Sequence, residues 1–274
     1  MAKKNTFDVK AARQRCLKFR RRILEISQTV PALHIAPAFS CLELVDAAYF
    51  GLMNRTDDKN TTDNFILSKG HGSLAQYVIL EELGILKKEL LDHYSKPGWP
   101  IATHPDYGNP GIEASTGSLG HGLGLAVGMA YADKMHKLNR TIYVVMSDGE
   151  LMEGSVWEAL MLAPSLGIKN IVVMVDLNDF ISLGQVSHAL PNFYPMLDKL
   201  KAFGWETKEV NGHNSEEIVE AVRSRKGDKP MALLGKTTKG KGVKYMENVP
   251  IWHYRSPNPK EYQEALEMLD EVCV

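Results

Sequence analysis

Asp148, Asn178 and Phe180 are the residues whose types and spacing point most directly to chemistry. Asp148 offers a hard anionic oxygen, Asn178 a neutral side-chain carbonyl, and the backbone carbonyl of Phe180 a third oxygen. Such a set suits an oxygen-loving divalent cation that holds a diphosphate. The intervening stretch carries Glu150, Glu153, Trp157 and Glu158. An Asp-Gly pair after a strand is also a common turn, so Asp148-Gly149 alone carries little; its separation from Asn178 across a strand–helix–strand unit carries more. A second set is imidazole: His34, His71, His104 and His253 suit a hydroxyl-lined substrate that needs protons moved near neutral pH. His213, in an Asn-Gly-His-Asn turn before a helix, reads as structural.

These groups need elements to hold them. Short, apolar runs rich in Val, Ile and Leu at Asn64–Leu67, Thr141–Met146, Ile171–Asp176, Trp205–Val210 and Met231–Lys236 read as buried strands, with helical stretches between them. The clearest unit is the β-rich run from Thr141, a turn, an amphipathic helix from about Ser155 to Leu166, and a second β-rich run ending at Asp176. Such a crossover makes the two strands parallel neighbours. Ligands of open parallel sheets bind outside the carboxyl ends of the strands, where Ser147-Asp148-Gly149 and Leu177-Asn178-Asp179 both fall. The Gly-rich segment Gly108–Gly128 lets the backbone approach a ligand and lets a following helix pack closely. The predicted fold is α/β, a mostly parallel sheet with helices on both faces, in one domain spanning 1–274.

Composition bounds the partners. The chain has 274 residues, 44% hydrophobic and 24% charged, enough to bury a sizeable core. Its formal net charge of −1 provides no field to recruit nucleic acid or an anionic membrane. Lys3 and Lys4 are followed by no apolar signal core, and no apolar run is read as approaching the ~18 residues of a membrane span. Cys16, Cys41 and Cys273 match no CxxC pattern and read as reduced thiols, so the expected location is cytoplasmic. Arg20, Arg21 and Arg22 lie in a helical pattern and read as a solvated face or phosphate-proximal rim.

The stretch Ser147-Asp148-Gly149-Glu150-Leu151-Met152-Glu153-Gly154-Ser155-Val156-Trp157-Glu158-Ala159, followed by Val175-Asp176-Leu177-Asn178, resembles the thiamine diphosphate motif, and more narrowly the N-terminal subunit of split transketolases. Phe65-Ile66-Leu67-Ser68-Lys69-Gly70-His71-Gly72, His104-Pro105, Glu113-Ala114-Ser115-Thr116-Gly117-Ser118-Leu119-Gly120, Lys239-Gly240-Lys241-Gly242-Val243 and Trp252-His253 follow in that family's order, so the resemblance covers nearly the whole chain.

The resemblance implies a thiamine-diphosphate-binding fold and a two-chain enzyme that transfers a two-carbon ketol unit from a ketose or ketose phosphate to an aldose or aldose phosphate. It implies that Asp148, Asn178 and the Phe180 carbonyl ligate Mg²⁺ or Ca²⁺, and that Gly149 presents its N–H to a phosphate oxygen. Gly117 and Leu119 would lie against the aminopyrimidine and thiazolium, with Ser118 among the cofactor contacts. His71 and His253 would approach the diphosphate and the reacting centre, and His34 and His104 the donor hydroxyls and the carbonyl under attack. Glu153 would meet the catalytic glutamate of a partner chain, and Glu158 would belong to an acidic link between paired sites. That partner, a C-terminal subunit carrying the pyrimidine-binding domain, is expected in an α2β2 heterotetramer, and this chain is expected to be silent without it.

Several positions depart from the family's pattern. Ala36-Pro37 stands for Gly-Gly after the first histidine, Ser147 for the first glycine of the metal motif, and His121 for a glutamine. Tyr254-Arg255 stands where small or lysine residues are usual, so a ring and a guanidinium reshape the mouth of the pocket. Two other readings remain open: the α-type subunit of a 2-oxo acid decarboxylating enzyme with the same cofactor motif, and a scaffold subunit that no longer turns over.

Overall fold

The computed structural model describes residues 7–182 and 184–271. Lys3, Lys4 and Cys273 lie outside the described residues. All five expected runs form strands: β1 (Asn64–Leu67), β2 (Ile142–Ser147), β3 (Ile171–Leu177), β4 (Glu206–Asn211) and β5 (Met231–Lys236). They join in one parallel sheet of order β1-β2-β3-β5-β4. Each crossover is long enough for a helix, as parallel pairing demands. The helices are α1 (Val9–Ser27), α2 (Ile35–Asp46), α3 (Ser73–Glu82), α4 (Lys88–Asp92), α5 (Gly122–His136), α6 (Gly154–Ser165), α7 (Val186–Ala189), α8 (Met196–Ala202), α9 (Ser215–Arg223) and α10 (Pro259–Glu271).

Why the central strands read as continuous apolar runs is visible in their two faces. Phe65, Leu67, Tyr143, Val145, Val172, Met174, Met231 and Leu233 pack with α1, α2, α3 and α9 on one side. The alternate residues Ile66, Val144, Met146, Val173, Val175, Ala232 and Leu234 pack with α5, α6 and α8 on the other. With both faces covered, neither register position can be polar without a partner. The edge strand β4 is only half-buried and is written Glu-Thr-Lys-Glu-Val-Asn, with charges that suit an edge.

Two expectations from sequence are corrected. Ile35–Leu52 is helical throughout and is long and apolar enough to cross a membrane, yet 83% of it is buried inside the protein. All of α2 is buried because it lies under α1, α3 and α9 and over β3; it is apolar on every side except at Ser40, Glu43 and Asp46, each of which has a hydrogen-bonded partner. The basic cluster is not a solvated face either. Arg20 is buried and forks onto Glu43, while Arg22 pairs with Glu81 and Asp92. Arg21 alone pairs near the surface, with Asp270.

Candidate functional site

The strand order reverses between β3 and β5, and the residues following β1, β2, β3 and β5 gather at that end of the sheet. Asp148 follows β2 directly and is fully buried. Its Oδ1 accepts the Gly149 N–H at 2.8 Å, and its Oδ2 accepts the Asp179 N–H and, at 3.3 Å, the Tyr194 hydroxyl. Burial first, and the negative charge of Asp176 second, push its carboxyl up to about 7. Asn178, one residue beyond β3, accepts the Phe180 N–H on Oδ1 at 2.8 Å and donates from Nδ2 to Ser40 Oγ at 3.0 Å. Asp148, Asn178 and Phe180 are thus brought to one corner, as expected. Among the described residues no group of three or more His, Cys, Asp or Glu is arranged to hold a metal. A cation here would need the mixed carboxylate, amide and carbonyl oxygens instead.

Beneath that corner lies a network whose members Lys69 and Asp176 belong to the motifs quoted above but were given no role from sequence. Lys69, just after β1, donates to the Asp176 carboxylate and, at 3.0 Å, to the Pro37 carbonyl. Asp176 also accepts from Ser40 Oγ at 2.6 Å and from Thr237 Oγ1. Pro37 sits in the first turn of α2, where a missing N–H costs no helical bond. The Ala36-Pro37 departure therefore stiffens a segment whose carbonyls hold Lys69 and, through Ala36, the Gly240 N–H at 3.1 Å.

Lys239 is the cation that sequence reasoning left without a role. Its side chain is almost wholly buried, and Nζ donates to the Ile181 carbonyl at 3.1 Å, 5.6 Å from the centre of the Phe180 ring. It forms no ion pair with a carboxylate among the described residues, and burial together with Lys69 lowers its ammonium to about 8. A desolvated cation that Asp148 and Asp176 offset only in part, without an ion pair among the described residues, fits an anionic group such as a diphosphate. Its only sequence signal was membership of the Lys239–Val243 motif.

The four histidines converge. His34 lies 5.5 Å from His71, 6.0 Å from His104 and 5.3 Å from His253, and His71 lies 5.4 Å from His253, ring centre to ring centre. Burial leads in lowering His34 to about 4 and His253 to about 3, and in driving His71 well below its ordinary value, each with neighbouring cationic groups adding to the effect. These three rings are therefore neutral imidazoles at neutral pH, each with one donor and one acceptor nitrogen. Nδ1 of His253 is buried with no partner among the described residues, a bond that a bound group could complete. Gly117 shapes the same space. At φ +145° a Cβ there would strike the His104 ring at 2.8 Å. Tyr254 leans on His34 at 4.5 Å, beside the four imidazoles. Arg255 instead turns away, onto Glu261 at 2.6 Å and over the Trp252 ring.

Glu150, given no role from sequence, is buried and accepts from Ser68 Oγ and the Gly120 N–H, tying the Gly117–Gly120 loop to the ends of β1 and β2. Ser118, Glu153 and Glu158 are exposed, and Leu119 is half-buried; Gly120 packs against Glu153. His121 is exposed just before α5. Around them, Leu125, Tyr131 and Met135 of α5 and Met161 and Leu162 of α6 are also exposed. His213 is half-buried between Glu43 and the Thr238 N–H, as a structural residue would be.

Residues 42–256 match the transketolase, thiamine diphosphate binding domain family. The chain is 39% identical over 259 residues to an apulose-4-phosphate transketolase subunit of Phocaeicola vulgatus, covering 93% of this chain and 92% of that protein. It is 37% identical over 245 residues to a 6-deoxy-6-sulfo-D-fructose transketolase subunit of a Clostridium species, covering 87% and 88%. Among solved structures, transketolase from Campylobacter jejuni superposes with a TM-score of 0.87 at 25% identity, over 96% of this chain and 43% of that one. The chain thus spans less than half the length of that transketolase.

Proposed function

The chain belongs to the transketolase family, as its thiamine diphosphate binding domain, and from that premise we propose that it is the cofactor-binding subunit of a two-chain enzyme. That enzyme moves a two-carbon ketol unit from a ketose, or ketose phosphate, to an aldose, or aldose phosphate. The relatives of similar length, each named as one subunit of a transketolase, favour the two-chain form. Family membership leaves the 2-oxo acid alternative without support.

One observation carries the reading: a buried Asp148 carboxyl and a buried Lys239 that forms no ion pair among the described residues, at adjoining ends of a parallel sheet, beside four converging histidines. Asp148, Asn178 and the Phe180 carbonyl would ligate Mg²⁺ or Ca²⁺; Lys239 and the Gly149 N–H would meet the diphosphate. When bound, thiamine diphosphate supplies the electron sink. The protein's own work is to hold and orient. Gly117, Ser118 and Leu119 leave the cofactor rings room to approach. His71 and His253 face the diphosphate and reacting centre. His34 and His104 offer ring nitrogens to hydroxyls and to the carbonyl under attack, where protons must move.

Glu153 and Glu158 are exposed because they await another chain: Glu153 the partner's catalytic glutamate, Glu158 the link between paired sites. The apolar residues exposed on α5 and α6 around them are the surface on which a C-terminal subunit, carrying the pyrimidine-binding domain, docks in an α2β2 assembly. The thiols of Cys16 and Cys41 are unpaired and buried, in keeping with the cytoplasm. Ketol transfer is measured on this chain alone and co-expressed with a candidate partner, with thiamine diphosphate, Mg²⁺ and a panel of ketoses and aldoses. Activity with both chains and none with either alone is expected. Turnover by this chain alone would sink the two-chain reading.

A further inference from the structure

Arg20, Glu43 and His213 come from α1, α2 and the turn before α9, and meet in the interior. Arg20 forks onto Glu43, Nη1 to Oε1 at 2.7 Å and Nη2 to Oε2 at 3.0 Å. His213 Nδ1 lies 2.9 Å from Glu43 Oε2, and its Nε2 accepts the Thr238 N–H at 2.8 Å. Acceptance at Nε2 puts the ring proton on Nδ1, facing the carboxylate. Burial alone would raise the Glu43 carboxyl; Arg20 and His213 outweigh it and hold it at about 2.

The triad reaches the chain at two points. His213 takes the Thr238 N–H, and Arg20 Nε donates to the Lys241 carbonyl at 2.9 Å. Those contacts bracket Lys239 in sequence. The intervening Gly240 has φ +81°, where a Cβ would strike the Met246 carbonyl oxygen at 2.6 Å, so this stretch follows a tight path that needs fixed anchors. A buried charged triad is no better for stability than apolar packing of the same volume. What apolar side chains cannot do is satisfy an amide and a carbonyl on either side of one lysine.

We propose that Arg20, Glu43 and His213 form a clamp that positions Lys239 toward the diphosphate pocket, with His213 as the positioning residue nearest to it. The inference rests on the cofactor site proposed above and goes beyond it, since it gives a role to three residues that touch no cofactor.

A double-mutant cycle tests it, read by calorimetric titration of thiamine diphosphate in Mg²⁺ into the two-chain enzyme. His213→Ala is expected to weaken binding about tenfold, the scale on which losing an outer partner weakens a bound ion. In the Lys239→Ala background the same change is expected to cost nothing further, because the clamp acts through Lys239. His213→Gln, whose amide can both donate to Glu43 and accept from Thr238, is expected to restore affinity. Equal losses in both backgrounds would overturn the clamp and leave the cofactor site standing. Binding indifferent to Lys239→Ala would overturn both. If His213→Ala does not fold, amide exchange of Thr238 in the unaltered chain decides: protection matching β5 supports the clamp, and exchange at open-loop rates refutes it.

Discussion

Lys69 and Asp176 form an ion pair across three strands: Lys69 leaves β1, Asp176 belongs to β3, and β2 lies between them. Both side chains are sealed from solvent. Burial alone would raise Asp176, but Lys69, with Ser40 and Thr237, brings its carboxyl below the ordinary value. The pair ties the end of β1, the start of α2 through the Pro37 carbonyl, and the loop after β5 into the floor of the site.

Removing one partner strands the other charge in the interior. Lys69→Met is therefore expected to destabilise the chain by about 3–5 kcal/mol, the usual cost of breaking a buried pair. Adding Asp176→Asn should recover part of that loss. Denaturant unfolding of the single and double variants checks both.

Asp148→Ala removes the anionic oxygen proposed to hold the diphosphate-bridging cation. Cofactor retention should be abolished while circular dichroism stays native, since Asp148 stands past the end of β2 and its bond to β3, from its N–H to the Asp176 carbonyl at 3.3 Å, is a backbone bond that alanine keeps. Unchanged thiamine diphosphate affinity by calorimetry would refute the metal assignment.

Stability should fall as the solution is acidified. His34 is held down to about 4 and His253 to about 3, against an ordinary 6.5, and His71 is held well below that ordinary value. Below 6.5 the unfolded chain takes up protons that the folded one refuses, so the contribution present above 6.5 is lost progressively down to the folded values. Unfolding midpoints at pH 7, 5.5 and 4.5 measure this. A His34→Asn, His253→Asn variant should show a shallower decline.

Leu162 and Met161 of α6 are each about half exposed, at 48%. Leu162→Asp should leave the chain's own stability within about 0.5 kcal/mol, as surface changes usually do, yet abolish co-purification with the partner subunit. Full retention of the complex would place the docking surface elsewhere.

Four strands were legible because they are largely buried and read as apolar runs, and they appeared where those runs lie; β4 formed at its expected place too, but as a half-buried, charged edge rather than a buried strand. The corner formed by Asp148 and Asn178 was legible for a similar reason, since a βαβ crossover brings two strand ends side by side whatever the details. Histidines that resemble a family's set could be singled out from type and order alone. By contrast, α2 looked nothing like a span until its helix ran on to Leu52, and Arg20 read as solvated because a lone sequence cannot show which side of α1 meets Glu43. Sequence by itself determined the fold class, the family and the corner where Asp148 and Asn178 meet, all of which follow from local pattern and from short motifs. Only the tertiary structure decided that Lys239 is a buried cation with no ion pair among the described residues, that burial holds three histidines below their ordinary values, and that Arg20, Glu43 and His213 share one bond network. Those properties depend on desolvation and on charges far apart in the chain, and neither is written in local sequence.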